Sequence, residues 1–355
     1  MLPIAIPFYT RATIGPSDNG DISFRSELFA QERKLRSGDH LLPHRDWSDY
    51  PVGVLAQLRA LEIDAPPFVM ELSGNIPFGA GLSSSASVEV ASCLAMLAWA
   101  AQSLSADAIS LLCQRAENQF VGSPCGVMDQ FAVTAAKAGH ALLLNTRDLS
   151  FELIPMSAGD LRDVCIVACN SMVRHSITDG SYGDRRAEVE VGQEILRQAY
   201  PDIRDLGDAT LAQLERSSNS MSEVSLKRCR HILSENLRVL EARDALLQGD
   251  AVELGRLMLE SHLSQKDNFE CSCDEIDFLV DRAASLPGCF GARMTGGGFG
   301  GCTVNLVKCD AVEGFRAALA DGYQRQFGVE AEMYVCTAVD GAIALQAASA
   351  VEDTL

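Results

Sequence analysis

The stretch Pro77-Phe-Gly-Ala-Gly-Leu-Ser-Ser-Ser-Ala-Ser87 carries glycines for close backbone approach and hydroxyls behind them, but no lysine. Phe68 to Leu72 before it alternates as a strand, Gly74-Asn75 marks a turn, and Ser84 to Ala101 after it is rich in alanine and small residues, as a helix is. The loop therefore runs from a strand into a helix N-terminus. Unpaired amides and the helix dipole favour negative charge there, and Gly79 and Gly81 admit oxygen atoms that a Cβ would hold away. Phosphate suits such a loop. The P-loop signature requires Gly-Lys-Ser/Thr, whereas Leu82 follows Gly81 and the loop contains no cation. Phosphate charge must then be met by amides and a metal ion, with an acidic residue elsewhere helping a loop serine to hold magnesium. The plainer alternative is a Gly/Ser turn whose serines cap the helix.

A second cluster, Thr295-Gly-Gly-Gly-Phe-Gly-Gly-Cys302, formally satisfies G-x-G-x-x-G through Gly296, Gly298 and Gly301. A dinucleotide fingerprint opens a helix, but Cys302-Thr-Val-Asn-Leu-Val307 leaves this cluster as a strand. A protein-kinase glycine loop does enter a strand, yet the chain has no His-Arg-Asp or Asp-Phe-Gly motif. Five glycines in six residues exceed what a tight hairpin needs, which points to a backbone approached by a ligand or by the other loop. Between the clusters, Arg115-Ala-Glu-Asn-Gln-Phe-Val-Gly-Ser-Pro-Cys-Gly-Val-Met-Asp-Gln130 sets Glu117 near the end of one helix and Asp129 at the start of another. Each alone reads as a surface charge or an N-cap. Together they supply a carboxylate for a metal and another for a hydroxyl that receives a phosphoryl group.

The 355 residues can bury a large core, and the length suggests two domains or one large one. A net charge of -19 argues against a surface that tracks nucleic acid or anionic lipid by electrostatics, while leaving room for a small local basic pocket. None of the 12 cysteines forms a C-x-x-C pair, so reduced, mostly buried thiols are expected. The longest apolar run, Val88 to Ala101, is broken by Glu89 and Ser92 and falls short of a membrane span. The N-terminus lacks the pattern of a signal peptide, and a cytoplasmic protein is expected.

Phe8 to Thr13, Phe68 to Leu72, His140 to Asn145 and Val164 to Ala168 read as strands, separated by helices such as Val52 to Leu61. From Glu188 to Ala284 leucines recur at helical spacing, and strands return at Gly301 to Val307 and Ala331 to Val335. This predicts an α+β fold whose second, helix-rich domain begins within Ser176 to Tyr182. The division gives domains of residues 1–176 and 177–355.

Three motifs in order, Gly-Ala-Gly-Leu-Ser-Ser-Ser-Ala-Ser, Gly-Val-Met-Asp-Gln-Phe and Ala-Arg-Met-Thr-Gly-Gly-Gly-Phe-Gly-Gly-Cys, resemble the GHMP small-molecule kinases. Asn145-Thr-Arg-Asp148, Cys169-Asn-Ser-Met-Val-Arg-His-Ser176, Ser181-Tyr-Gly-Asp-Arg-Arg186 and Arg230-His-Ile-Leu-Ser-Glu-Asn236 look like segments of the branch that phosphorylates galactose. The resemblance covers nearly the whole chain and implies a two-domain fold and ATP-dependent phosphorylation of the anomeric hydroxyl of galactose. It assigns Gly79, Ala80, Gly81, Leu82, Ser83, Ser84 and Ser85 to the ATP phosphates, Ser85 and Glu117 to Mg2+, and Asp129 to the sugar hydroxyl proton. Tyr182 and Gly126 match sugar contacts, and Gly296 to Gly301 would close over the phosphates. An ordinary carboxylate suffices at Asp129, because phosphoryl transfer depends more on positioning than on a strong base.

Trp47 and Tyr50 match a segment near the nucleotide, but aromatics at helical spacing are more often core and no role is assigned to them; His175 and His231 read as packed histidines. The resemblance implies, before the segment matched by Leu2-Pro-Ile-Ala-Ile6, an Arg that stabilises the transferring phosphoryl group beside the base and a Gly-Glu-His-Thr-Asp run whose Glu, His and Asp hold the sugar hydroxyls. This sequence starts after it, so weak turnover by a protein of this length and a destabilised sheet edge are expected. A non-catalytic ATP- or sugar-binding relative, and a kinase for N-acetylgalactosamine, galacturonate or arabinose, are the competing readings. The presence of Ser85, Glu117 and Asp129 together favours the enzyme.

Overall fold

The computed structural model describes residues 1–36, 39–77, 80–173 and 181–343, apart from the side chains of Ser181 and Tyr182. The first part of the chain contributes β1 (Thr10–Pro16), β2 (Ile22–Ser26), β3 (Arg33–Leu35), α1 (Asp49–Ala60), β4 (Phe68–Gly74), α2 (Ser84–Trp99), α3 (Ala106–Arg115) and α4 (Met128–Ala135). Its four strands form one mixed sheet in the order β1-β4-β2-β3, with β2 and β4 parallel and the other pairs antiparallel. Strand β4 alternates as its sequence requires: Phe68, Met70 and Leu72 are buried against α1, α2 and α3, while Glu71 faces out. Phe68 meets Phe24 edge-on at 5.5 Å, and Leu55, Leu58, Val90 and Met96 fill the space above them. Each such side chain contributes roughly 1.5–3 kcal/mol on burial, so this core holds the α2 N-terminus firmly in place.

After the hairpin β5 (His140–Leu144) and β6 (Phe151–Pro155) comes β7 (Val164–Asn170), followed by α5 (Ser181–Ala199), α6 (Leu211–Arg216), α7 (Glu223–Gln248), α8 (Ala251–Ser264) and α9 (Asp274–Ala284). Strands β8 (Cys289–Met294) and β9 (Cys302–Lys308), helix α10 (Val312–Phe327) and β10 (Glu332–Cys336) complete the described chain. The second sheet is antiparallel throughout, in the order β10-β7-β9-β8. Its core joins Val167 and Val307 to Leu279, Phe315, Leu319 and Tyr323 from α9 and α10. The other face is covered by α8, which touches β8 backbone to backbone: a Cβ on Gly255 would lie 2.1 Å from the Phe290 carbonyl oxygen.

The fold is α+β, as the alternation of runs predicts, with three departures. The first strand begins at Thr10 rather than Phe8, because Phe8 turns aside to pack edge-on against Tyr334 at 5.2 Å. Cys165 and Cys309 are joined by a disulfide, with Cα atoms 5.2 Å apart, so the expectation of wholly reduced thiols does not hold for that pair. They lie at the β7–β9 end of the sheet, where register puts Cys165 opposite Val307; the other ten cysteines are free. Strands β2, β3, β6 and β8 are short, three to six residues each, and were not expected. The proposed boundary falls mostly in residues 174–180, outside the described residues.

Candidate active site

The loop after β4 delivers the chain to α2. Gly79 lies outside the described residues; Ala80 is buried, Gly81 has φ +70° and Ser83 adopts φ 58° immediately before α2 begins at Ser84. Ser83 occupies the cap position, yet its side chain makes no capping bond, so the simple capping alternative fails. Its hydroxyl donates instead to Asp129. The second glycine cluster joins β8 to β9 and meets this loop. The Cys302 thiol donates to the Ala80 carbonyl at 2.9 Å, and a Cβ on Gly81 would come 3.8 Å from the Gly301 Cα. Gly301 is held in turn by Ser171, whose backbone and hydroxyl both donate to its carbonyl, at 2.9 and 2.8 Å. The cluster is therefore a strand connection and also a close neighbour of the loop that leads into α2. A side chain at Gly298 would collide with the Cys271 carbonyl at 2.3 Å, which together with φ +90° requires glycine there.

Glu117 is aimed by an irregular helix end. At Ala116 α3 widens into a π-helical turn, Ala116–Val121, which ends at left-handed Gly122. The following turn is fixed by Asn118, which accepts from the Cys125 amide at 2.6 Å and donates to the Cys125 carbonyl at 3.2 Å. Glu117 is only 6% exposed and accepts from the Ser85 hydroxyl, from the Cys125 thiol at 3.3 Å and from Gln130 Nε2 at 3.0 Å. Burial pushes its carboxyl above the usual range, and the neighbouring Asp129 adds to this. Asp129 lies in the first turn of α4, behind the cap residue Val127. Burial raises its pKa too, against the opposing Ser83 hydroxyl, so it is a better proton acceptor than the ordinary carboxylate expected. Neither acid is a solvated charge or a helix cap.

The structure adds Glu89 and Gln130. Glu89 is fully buried on α2, where burial and then the Glu117 charge push it up to about 9. Gln130 Nε2 donates to both Glu89 Oε2, at 3.2 Å, and Glu117 Oε2. The sequence presented Glu89 only as a break in an apolar run. Its place one helical turn from Ala86 and Cys93, on the buried stripe of α2, was the available signal. Tyr50 lies beside this cluster, its hydroxyl pushed up to about 12 by burial and then by Glu117 and Glu89. Trp47 stacks on Phe29 and packs on the first core.

Gly126 is exposed, with open space where a Cβ would stand. Tyr182 lies in the first turn of α5 and its side chain is outside the described residues, as is His175 entirely. His231 is buried on α7 and hydrogen-bonded to Ser264 at 2.9 Å, as expected of a packed histidine. Among the described residues no three or more His, Cys, Asp or Glu side chains are placed to hold a metal ion. The hard oxygen donors of Ser85 and Glu117 are of the kind that would suit magnesium, and nucleotide phosphates would add further oxygen ligands. Among the described residues no helix is long and apolar enough to cross a membrane.

A lysine-free loop at a helix N-terminus, a glycine-rich strand connection against it and two acids facing it define a small-molecule kinase of the GHMP class. Residues 49–137 match the family described as GHMP kinases N terminal domain and residues 242–324 that described as GHMP kinases C terminal. Curated relatives narrow the class: a galactokinase from Halalkalibacterium halodurans is 37% identical over 343 residues, 96% of this chain and 86% of the relative. One from Roseiflexus sp. is 41% identical over 89% of this chain and 78% of the relative. The chain belongs to the galactokinase family. The crystal structure of Lactococcus lactis galactokinase complexed with galactose superposes with a TM-score of 0.91 at 29% identity, covering 97% of this chain and 89% of that one. A mevalonate kinase structure matches with a TM-score of 0.63 at 19% identity, over 94% of this chain and 90% of that one, which is a likeness of fold.

Proposed function

We propose that this chain transfers the γ-phosphoryl group of ATP to the anomeric hydroxyl of D-galactose, giving galactose 1-phosphate and ADP. The observation that carries the site assignment is the convergence of Ser83, Ser85, Glu117 and Asp129, from three separate elements, beside one glycine-rich loop. Ala80 to Ser85, with Gly79, hold the nucleotide phosphates through backbone amides at the start of α2. Ser85 and Glu117 hold Mg2+, which when bound neutralises phosphate charge. Asp129 orients the sugar hydroxyl and accepts its proton. The hydroxyl oxygen forms the new bond to the γ-phosphorus as the bond to the β–γ bridging oxygen breaks and ADP leaves with that electron pair. The raised pKa of Asp129 favours this acceptance, and Ser83 fixes the carboxylate's orientation. Tyr182 and Gly126 contact the sugar, and the two functional halves are residues 1–176 and 177–355, a division that leaves each matched family segment whole.

The test is Asp129→Ala: ATP binding, measured by calorimetry, is retained while galactose phosphorylation falls by about 10²- to 10⁴-fold. Turnover near the wild-type rate would remove Asp129 from the mechanism.

A further inference from the structure

A carboxylic acid with no solvent exposure is costly to bury, and Glu89 sits on a buried stripe of α2 that is apolar apart from it and Ser92. Its surroundings show what it does. One oxygen accepts from Gln130 Nε2 at 3.2 Å, and the other, Oε1, is buried without a hydrogen-bond partner. The amide nitrogen of Gln130 has two hydrogens, and the second reaches Glu117 Oε2 at 3.0 Å. With both hydrogens engaged, the amide plane of Gln130 is fixed, and so is the edge of Glu117 that it grips. The Glu117 carboxylate is thereby held where it also accepts from Ser85.

We infer that Glu89 and Gln130 are positioning residues for phosphoryl transfer: Glu89 anchors the Gln130 amide, and Gln130 orients Glu117 toward the cation that it shares with Ser85. The inference rests on Glu117 being the metal-binding carboxylate proposed above. Outer partners of this kind restrict a ligand's rotation before the ion arrives, and their loss typically weakens metal binding by about 10- to 100-fold. A helix-to-helix staple between α2 and α4 would produce the same contacts, and the two roles separate by what a substitution changes. Loss of a staple lowers stability, whereas loss of a positioning residue lowers cation affinity in protein that is still folded.

The experiment measures Mn2+ affinity of the full chain with a non-hydrolysable ATP analogue, using the paramagnetic resonance signal of the free ion. Glu89→Met and Gln130→Met cut the same link from its two ends, so either alone serves if the other fails to fold. Each is expected to weaken Mn2+ binding about tenfold. The double variant is expected to be no weaker than the single ones, because the two residues act in series. Glu89→Gln retains an acceptor for the Gln130 amide and is expected to restore affinity to within about twofold of wild type. Wild-type Mn2+ affinity in Glu89→Met or Gln130→Met, with binding weakened in Glu117→Gln, would overturn the positioning role alone. Unchanged affinity in Glu117→Gln would overturn the assignment of Glu117 and this inference with it.

Discussion

Replacing Gly255 by alanine sets two known effects against each other. In the interior of α8 the substitution removes a flexible residue, which by helix propensity alone gains about 1 kcal/mol. The new Cβ, however, would lie 2.1 Å from the Phe290 carbonyl oxygen and 2.4 Å from its carbon, both backbone atoms of β8 that no rotamer change can move. Ordinary contact begins near 3.4 Å, so α8 must withdraw from β8 by about 1.3 Å, a gap that forfeits about half of the dispersion energy across the contact. Leu254 and Leu257 on α8 pack in the core that this movement opens. Overpacking of this sort costs about 1–3 kcal/mol before any such gap is counted, so a net loss of about 2 kcal/mol or more is expected. Gly314, on α10, has nothing within 4 Å of its Cβ position and should instead gain up to about 1 kcal/mol as alanine. Urea unfolding followed by circular dichroism is the assay, with the two midpoints moving in opposite directions from wild type. A Gly255→Ala midpoint at or above wild type would refute the reasoning.

Two other outcomes follow from the buried groups. His231 is held neutral by burial and by the charges of Arg293, Arg238 and Arg228, its pKa lowered from 6.5 to about 4. Between those values the unfolded chain binds a proton that the native one does not. The stability is therefore present above pH 6.5 and lost as pH falls toward 4, about 2 kcal/mol of it between pH 7.5 and 5. Urea titrations at both pH values should show this loss reduced by that amount in His231→Asn, and an unchanged loss would exclude His231 as its source. Cys302→Ala removes the thiol bond to the Ala80 carbonyl and should raise the KM for ATP severalfold with the KM for galactose unchanged; equal changes in both would argue against a local effect on the phosphate loop.

Much of this was legible because the signals are local. The step from β4 through glycines into α2 is written in consecutive residues, and so is the acidic pair around the Pro124 turn. What the sequence could not convey was the environment. Glu89 reads as an interruption of an apolar helix until Gln130, 41 positions away, is seen donating to it. The raised proton affinity of Asp129 comes from burial by several elements at once, which no spacing encodes. The four unexpected strands are short, and β8 carries Gly291, whose missing side chain makes room for α8 rather than marking a turn. The Cys165–Cys309 bond joins positions 144 apart, beyond the reach of any local pattern.

The thiol contact between Cys302 and Ala80 also bears on when the protein becomes functional. Its partners are separated by 222 residues, and the glycine connection that rests on the phosphate loop is among the later segments to be made. Contacts of such long range close only after the intervening chain has been ordered, and domains of a growing chain fold from the N-terminus onward. The first sheet and its three helices can therefore assemble well before the phosphate loop gains its glycine-rich neighbour. On a ribosome synthesising this chain, most of the polypeptide must emerge before both walls of the proposed nucleotide site are present.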